Sequence, residues 1–200
     1  ALPIYPTAGP TIAPTAKYPR SAAGLVRMHR SRFLAVLLAL ASCTASAELP
    51  AAPPLTATRA DAWINSPPLS WPGLRGKVVL LEFWTFGCSN CRNTLPWLKA
   101  IDSKYRDQGL VIIGVHTPEF AHERVPANVQ RAVRDLGIRY PVMLDPDSEY
   151  WKRLNNRYWP AFYLIDRDGR IVATAIGELH AGEPRGDRFE ARLRAELTLP

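Results

Sequence analysis

The stretch "KVVLLEFWTFGCSNC", residues 77–91, decides the fold. From Lys77 to Trp84 it is almost continuously apolar and rich in β-branched and aromatic side chains. A short run of that kind reads as a central strand covered on both faces. Directly after it stand Cys88 and Cys91. From Asn90 to Arg106 the apolar positions Leu95, Leu98, Ile101 and Tyr105 then recur at helical spacing, with Gly109 as the stop signal. The cysteines therefore sit at a strand-to-helix junction. Glu82 breaks the strand pattern where both faces should be covered, and a buried carboxylate is costly unless it is neutral or partnered. Two readings stay open: an edge position with the side chain escaping to solvent, or a buried acid beneath the cysteines. In the second, a raised pKa lets Glu82 take the proton from Cys91.

The chemistry of the pair follows from its surroundings. A zinc site takes about four ligands. Cys88 and Cys91 supply two, no second pair exists, and His116, His122 and His180 lack ligand spacing, so no metal is expected. Haem attachment needs His directly after the second cysteine, and position 92 is Arg. A structural staple acts mainly by restricting the unfolded chain, and so short a loop contributes little. Thiol-disulfide exchange uses the same closeness, because the second thiol quickly expels a mixed disulfide formed by the first. If the helix begins between Cys88 and Asn90, the first sulfur faces unpaired amide hydrogens and the positive end of the helix dipole, which stabilise a thiolate. Cys88 is then the nucleophile, and Cys91, one turn in and shielded, is the resolving thiol. The chemistry needs no bound cofactor.

Downstream, "LVIIGVH" (110–116) reads as a second buried strand, Asn128 to Leu136 as a helix ended by Gly137, "YPVMLD" (140–145) as a strand and "DSEYWKRLN" (147–155) as a short helix. "AFYLID" and "RIVATAIG" flank the Asp166-Arg167-Asp168-Gly169 turn as a hairpin, and Asp187 to Leu197 has helical charge patterning. Upstream, "AWINSPPLSWPGLRGK" (62–77) is turn-rich, with room for a short edge strand. The order β-α-β-α-β-α-β-β-α predicts an α/β domain with one mixed central sheet and helices on both faces. Pro160 marks a turn before a buried strand; a cis bond there would be a deliberate feature, although trans is commoner for an arbitrary X-Pro. His116 ends a strand beside the cysteine turn, as a proton relay or as a hydrogen-bonded strand-end histidine. Trp63, Trp71, Tyr150, Trp151 and Tyr158 form a docking surface or, more often in a domain this size, core.

Two hundred residues, 47% hydrophobic with six Trp, suffice for one ordinary domain with extensions. The formal charge of +7 does not signal nucleic acid. Lys17, Arg20, Arg27, Arg30 and Arg32 precede residue 48 and no Asp or Glu does, leaving 20 bases against 18 acids, or +2, for the remainder. Residues 1–27 are Pro- and Ala-rich without periodicity, which predicts disorder, or an extension ahead of a native start at Met28. Residues 28–47 have the layout of an export signal: a basic start, an apolar stretch from Phe33 to Ala41 and small residues after it. That stretch is shorter than the roughly 20 residues of a spanning helix. Ala45-Ser46-Ala47 would release a soluble protein. Leu40-Ala41-Ser42-Cys43 equally resembles a bacterial lipobox that would lipidate Cys43 and anchor the chain to lipid. Residues 48–61 read as a linker, with the ordered domain expected over 62–200.

Taken together, these motifs resemble the thioredoxin superfamily. Glu82 precedes Cys88 by six, Trp84 lies between them, Pro96 follows Cys91 by five, and a Pro precedes the penultimate strand of a β-β-α ending. "VVLLEFWTFGCSNCRNTLPWLKAI", "GLVIIGVHTPEF" and "YWPAFYLIDRDGRI" are more specifically similar to bacterial exported proteins of the TlpA-like/redoxin branch. That branch includes extracytoplasmic domains accompanying membrane electron transporters of the cytochrome c biogenesis type. The resemblance implies a thioredoxin-like fold and thiol-disulfide exchange with cysteines of periplasmic or other extracytoplasmic proteins, without nucleic acid and with a membrane thiol transporter as electron partner. It makes Cys88 the attacking thiol, Cys91 the resolving thiol, Glu82 the buried acid and Pro160 the cis-proline opposite the disulfide. Trp159 stands where thioredoxin has a small β-branched residue, which implies a bulky substrate-selecting lip, and Trp84 is a core residue neighbouring the disulfide. Two rivals share the scaffold. A thiol peroxidase would carry Pro-x-x-x-Thr-x-x-Cys ahead of Cys88, which this chain lacks, and a redox-inert binding module has no need of Cys88, Cys91, Glu82 and Pro160 together.

Overall fold

The computed structural model describes residues 49–199. The readings of residues 1–27, of the export signal at 28–47 and of Cys43 lie outside the described residues.

The predicted central strand is β2 (Val78–Trp84), buried at every position. Its alternate side chains serve two cores: Val78, Leu80 and Trp84 face one, and Val79, Leu81 and Phe83 face the other. β3 (Leu110–His116) runs parallel to β2, with Glu82 opposite Gly114 and Trp84 opposite His116. β4 (Val142–Leu144) continues the parallel set beyond β3. β5 (Ala161–Ile165) and β6 (Ile171–Ile176) add antiparallel pairing on the other side of β2. A two-residue β1 (Trp63–Ile64) closes the far edge against β4. The sheet order is β1-β4-β3-β2-β5-β6, so β2 is interior.

α1 (Ser89–Tyr105) connects β2 to β3 and α2 (Pro126–Asp135) connects β3 to β4. Two such crossovers advancing the same way across a parallel sheet belong on one face. The first core accordingly joins Leu95 and Leu98 of α1, Val129 and Val133 of α2, and Phe189 and Leu193 of α4 (Pro184–Thr198). Tyr150 of α3 (Glu149–Arg153) packs in the core on the opposite face. Helices thus cover both faces. Leu95, Leu98, Ile101 and Tyr105, the stripe read from sequence, are all buried. α2 starts at Pro126, two residues before the predicted start, with proline in the first turn where its missing amide costs nothing.

The stretch read as a linker is bound to the domain over much of its length. Ala51 bridges Arg170, and Ile171 N–H donates to Pro50 O at 2.8 Å. Ala52 and Leu55 are buried in the second core. Pro53 O accepts from the Trp71 indole at 2.6 Å and from the Tyr150 hydroxyl at 3.2 Å. An extended strap of Pro and Ala has no periodicity to read, and its partners at Arg170 and Tyr150 lie about a hundred residues away in sequence.

One glycine fits the sheet to the site. A Cβ on Gly114 would lie 2.9 Å from Trp84 Nε1 and 3.2 Å from the Tyr140 ring, so glycine makes room for both beside Glu82. Gly114→Ala should therefore overpack this layer and destabilise the domain by about 1–3 kcal/mol. Urea unfolding of the oxidised protein checks this, and a change within a few tenths of a kcal/mol would show that the layer relaxes freely.

Candidate active site

Where β2 ends, the chain turns through Thr85–Gly87 into α1, and Cys88 becomes the helix N-cap in an extended conformation. Its Sγ accepts the Cys91 N–H at 3.2 Å, taking the place of the oxygen that usually caps a helix. The two cysteines form a disulfide with Cα atoms 5.3 Å apart. Cys88 is partly exposed, whereas Cys91 is 4% exposed and packed in the α1-side core. Residues three apart share a helix face, so the unequal exposure comes from depth: Cys88 caps the open end of α1, and Cys91 lies one turn further in, against the sheet.

Glu82 lies between Leu80 and Trp84 on the same face of β2, the face toward α1. It is 2% exposed on an interior strand, so the buried reading holds and the edge reading does not. Burial pushes its pKa up to about 8, and the Tyr140 hydroxyl, donating to Oε2 at 3.4 Å, lowers it in part. At neutral pH this carboxyl mostly keeps its proton. A carboxyl in that state suits general acid–base work.

His116, at the end of β3, is buried, edge-on to Trp84 at 5.1 Å and stacked on Phe86 at 5.6 Å. Its Nε2 lies 3.3 Å from Thr85 Oγ1. Burial pushes its pKa down to about 4, with the Glu123 charge opposing, so the ring is neutral at physiological pH. This is the hydrogen-bonded strand-end histidine among the two readings. Beyond it, Glu123 is 1% exposed and accepts the backbone N–H of Gly87 at 2.8 Å. Asp145 holds Thr117 through its hydroxyl at 3.0 Å and accepts the N–H groups of Tyr150 and Trp151.

The Trp159–Pro160 bond is cis. Ala161 pairs with Phe83, which puts Pro160 beside the end of β2 that feeds the cysteine turn. Trp159 is partly buried; its indole donates to Thr117 O at 3.1 Å and packs on Trp151 with ring centres 4.3 Å apart. Trp84 is buried in the core that holds Cys91, and its Nε1 has no protein partner. Of the aromatic cluster, Trp63 and Tyr150 are core while Tyr158 is 57% exposed. The end of β2 and the start of β5 thus place Trp84, Cys88, Cys91, Trp159 and Pro160 at one end of the sheet, with Glu82 two residues inside β2. Among the described residues no group of three His, Cys, Asp or Glu is placed to hold a metal ion.

Sequence reasoning missed Tyr140 and Glu123. Each reaches its partner across a long gap, 58 residues for Tyr140 to Glu82 and 36 for Glu123 to Gly87, and no local pattern announces it.

A family model described as Redoxin matches residues 51–189. Over 119 residues the chain is 46% identical to protein DipZ of Mycobacterium tuberculosis (strain CDC 1551 / Oshkosh), covering 58% of this chain and 17% of that protein. The chain thus spans less than a fifth of DipZ's length. Over 114 residues it is 28% identical to the thiol-disulfide oxidoreductase YkuV of Bacillus subtilis (strain 168), covering 57% of this chain and 76% of YkuV. The crystal structure of a thiol:disulfide interchange protein of the thioredoxin family from Chlorobium tepidum TLS superposes with a TM-score of 0.61 at 21% identity. That match covers 76% of this chain and 99% of the other, and it shows the thioredoxin-like fold.

Glu82 and His116 act oppositely on stability as pH changes. The folded state keeps a proton on Glu82 that the unfolded chain has released, so stability falls as pH rises from about 4.5 to about 8. Folded His116 refuses a proton that the unfolded chain would bind, so stability rises from about pH 4 to about 6.5. Of the two, only Glu82 acts between about pH 6.5 and 8. Urea unfolding of the oxidised protein should show stability declining across that window, with the decline abolished in Glu82→Gln. In Tyr140→Phe it should extend above pH 8, because the bond lost favoured the carboxylate.

Proposed function

The chain belongs to the redoxin family, and on that premise we propose that it is an extracytoplasmic thiol-disulfide oxidoreductase exchanging the Cys88–Cys91 disulfide with cysteines of other proteins. The observation that carries the reading is the asymmetry of the pair. Cys88 is partly exposed at a helix N-terminus with its Sγ on the Cys91 amide, and Cys91 is buried on the side of Glu82. YkuV, a relative matched over most of its length, is named for this activity.

In the oxidised form a substrate thiolate attacks Cys88 Sγ and expels Cys91 as a thiolate, which Glu82 protonates. A second substrate thiol then attacks the mixed disulfide and releases Cys88. The substrate leaves as a disulfide, having given two electrons to the pair. In reverse, the Cys88 thiolate attacks a substrate disulfide, Glu82 accepts the Cys91 proton, and Cys91 closes on Cys88 to release a reduced substrate. Both half-reactions use the same residues. The helix dipole and the Cys91 N–H stabilise Cys88 as attacking or leaving group in either direction. Trp159, beside Pro160 and held by Thr117, forms one wall of the substrate approach.

The setting rests on the sequence: the export layout of residues 28–47 supports a periplasmic or other extracytoplasmic location, and Cys43 in its lipobox-like context supports a lipid anchor. The resemblance to exported TlpA-like proteins supports coupling to a membrane thiol transporter and to cytochrome c maturation.

Cys91→Ser leaves Cys88 able to form a mixed disulfide but not to resolve it. Expressed in the native host, it should accumulate protein adducts on Cys88 that are absent from Cys88→Ser; recovery of no adduct would sink the exchange reading. Purified oxidised protein should oxidise a test dithiol without consuming peroxide, and rapid peroxide consumption would favour the peroxidase alternative instead.

A further inference from the structure

Glu123 has no part in the exchange steps above, yet it is the charged side chain bonded to the turn that carries the nucleophile. Its Oε1 accepts the Gly87 N–H at 2.8 Å, and its Oε2 accepts those of Glu119 at 2.7 Å and Phe120 at 2.9 Å. The Thr85 hydroxyl also favours the charged form. Burial alone would raise the carboxyl pKa, but the three backbone donors and the Thr85 hydroxyl outweigh it and hold the pKa below its ordinary value, so the group is an anion at neutral pH. Gly87 is shaped for this contact, since a Cβ there would overlap Glu123 Oε1.

Little around the carboxylate neutralises it. His116, across Thr85, is neutral, and Asp145, itself acidic, lines a cavity of about 20 Å³ with His116, Glu123 and Arg124. Arg124 is bonded to Pro146 O and faces Asp147 at 4.0 Å. His122 stacks on Phe120 and lies edge-on to Phe86, exposed to solvent, and Arg92 on the first turn of α1 is exposed as well. Glu82, on the α1-facing side of β2, keeps its proton.

We infer that Glu123 is a positioning residue whose fixed negative charge, held on the amide of Gly87, opposes ionisation of Cys88 and biases the pair toward donating electrons. This rests on the exchange reading and adds a direction to it. The N-terminus of α1 and the Cys91 N–H favour the Cys88 thiolate, and an anion bonded to the preceding residue works against them. The disulfide carries no charge, so Glu123 weighs on the reduced state alone. A less stable dithiol is a stronger reductant. The favoured direction is therefore attack by Cys88 on a substrate disulfide, closure of the Cys88–Cys91 bond and release of the substrate as two thiols. Two electrons pass to the substrate, and an external dithiol must return them for turnover.

The test is Glu123→Gln, with the Cys88 pKa read from the pH dependence of alkylation in a Cys91→Ser background. Loss of the charge should lower that pKa by about one unit, a tenfold change in the ionisation constant. With both cysteines present, the equilibrium with glutathione should move toward the dithiol. The shift should reach about tenfold, or about 30 mV, once the pH exceeds both proteins' Cys88 pKa values. Gly87→Ala keeps the charge but pushes the carboxylate off the turn, so the Cys88 pKa should fall there too, by less; it carries the test if Glu123→Gln does not fold. A lowered melting temperature with unchanged pKa and equilibrium would reduce Glu123 to a structural clamp. A raised Cys88 pKa would show that turn geometry outweighs charge, and either result overturns the inference. Neither readout needs a protein partner, so failure here is distinguishable from failure of the wild-type protein to exchange with any dithiol.

Discussion

β2 is the strand on which the site depends. Buried on both faces and bonded on both edges, it has no freedom to shift, and its last residue feeds directly into the turn that caps α1. The positions of Cys88 and Cys91 are therefore inherited from the most constrained backbone in the molecule. The same burial creates the chemistry beneath them, because a carboxylate forced into that strand cannot ionise at its usual pH. One constraint thus positions the sulfurs and keeps a protonated carboxyl on the α1-facing side of the same strand.

Around this axis the neighbouring strand ends each contribute one fixed element. β3 delivers neutral His116 and, beyond it, the loop from which Glu123 reaches back to Gly87. β4 is followed directly by Asp145, which holds Thr117 and the start of α3. β5 begins at the cis Trp159–Pro160 bond, with the Trp159 indole anchored on Thr117. Each loop at this end of the sheet is bonded to another. A disulfide within such a frame can change its bonding while its surroundings stay in place.

Two buried carboxyl groups near the disulfide show how environment divides roles between chemically similar side chains. Glu82 has one long hydrogen bond from Tyr140 and stays protonated; Glu123 has three backbone N–H donors and stays ionised. The deeper desolvation of Glu82 and the larger number of donors on Glu123 together decide the two charges. The protonated group suits proton transfer with Cys91, and the ionised one suits the tuning of Cys88.

Much of this was legible in the residues themselves. The apolar run, the helical stripe from Leu95 to Tyr105, the turn at Asp166–Gly169 and the cysteine spacing are local patterns of side-chain period and backbone preference, and they determined the α/β order, the mixed sheet and the candidate nucleophile. The sequence raised Glu82 as an anomaly and left its burial open. What only the tertiary structure decided depends on contacts distant in sequence: that Glu82 is interior, that the Pro- and Ala-rich strap at 50–55 belongs to the domain, and that Tyr140 and Glu123 reach the site. The physical reason is that period and propensity are properties of neighbours along the chain. Burial, and with it the charge state of a carboxyl group, is a property of neighbours in space.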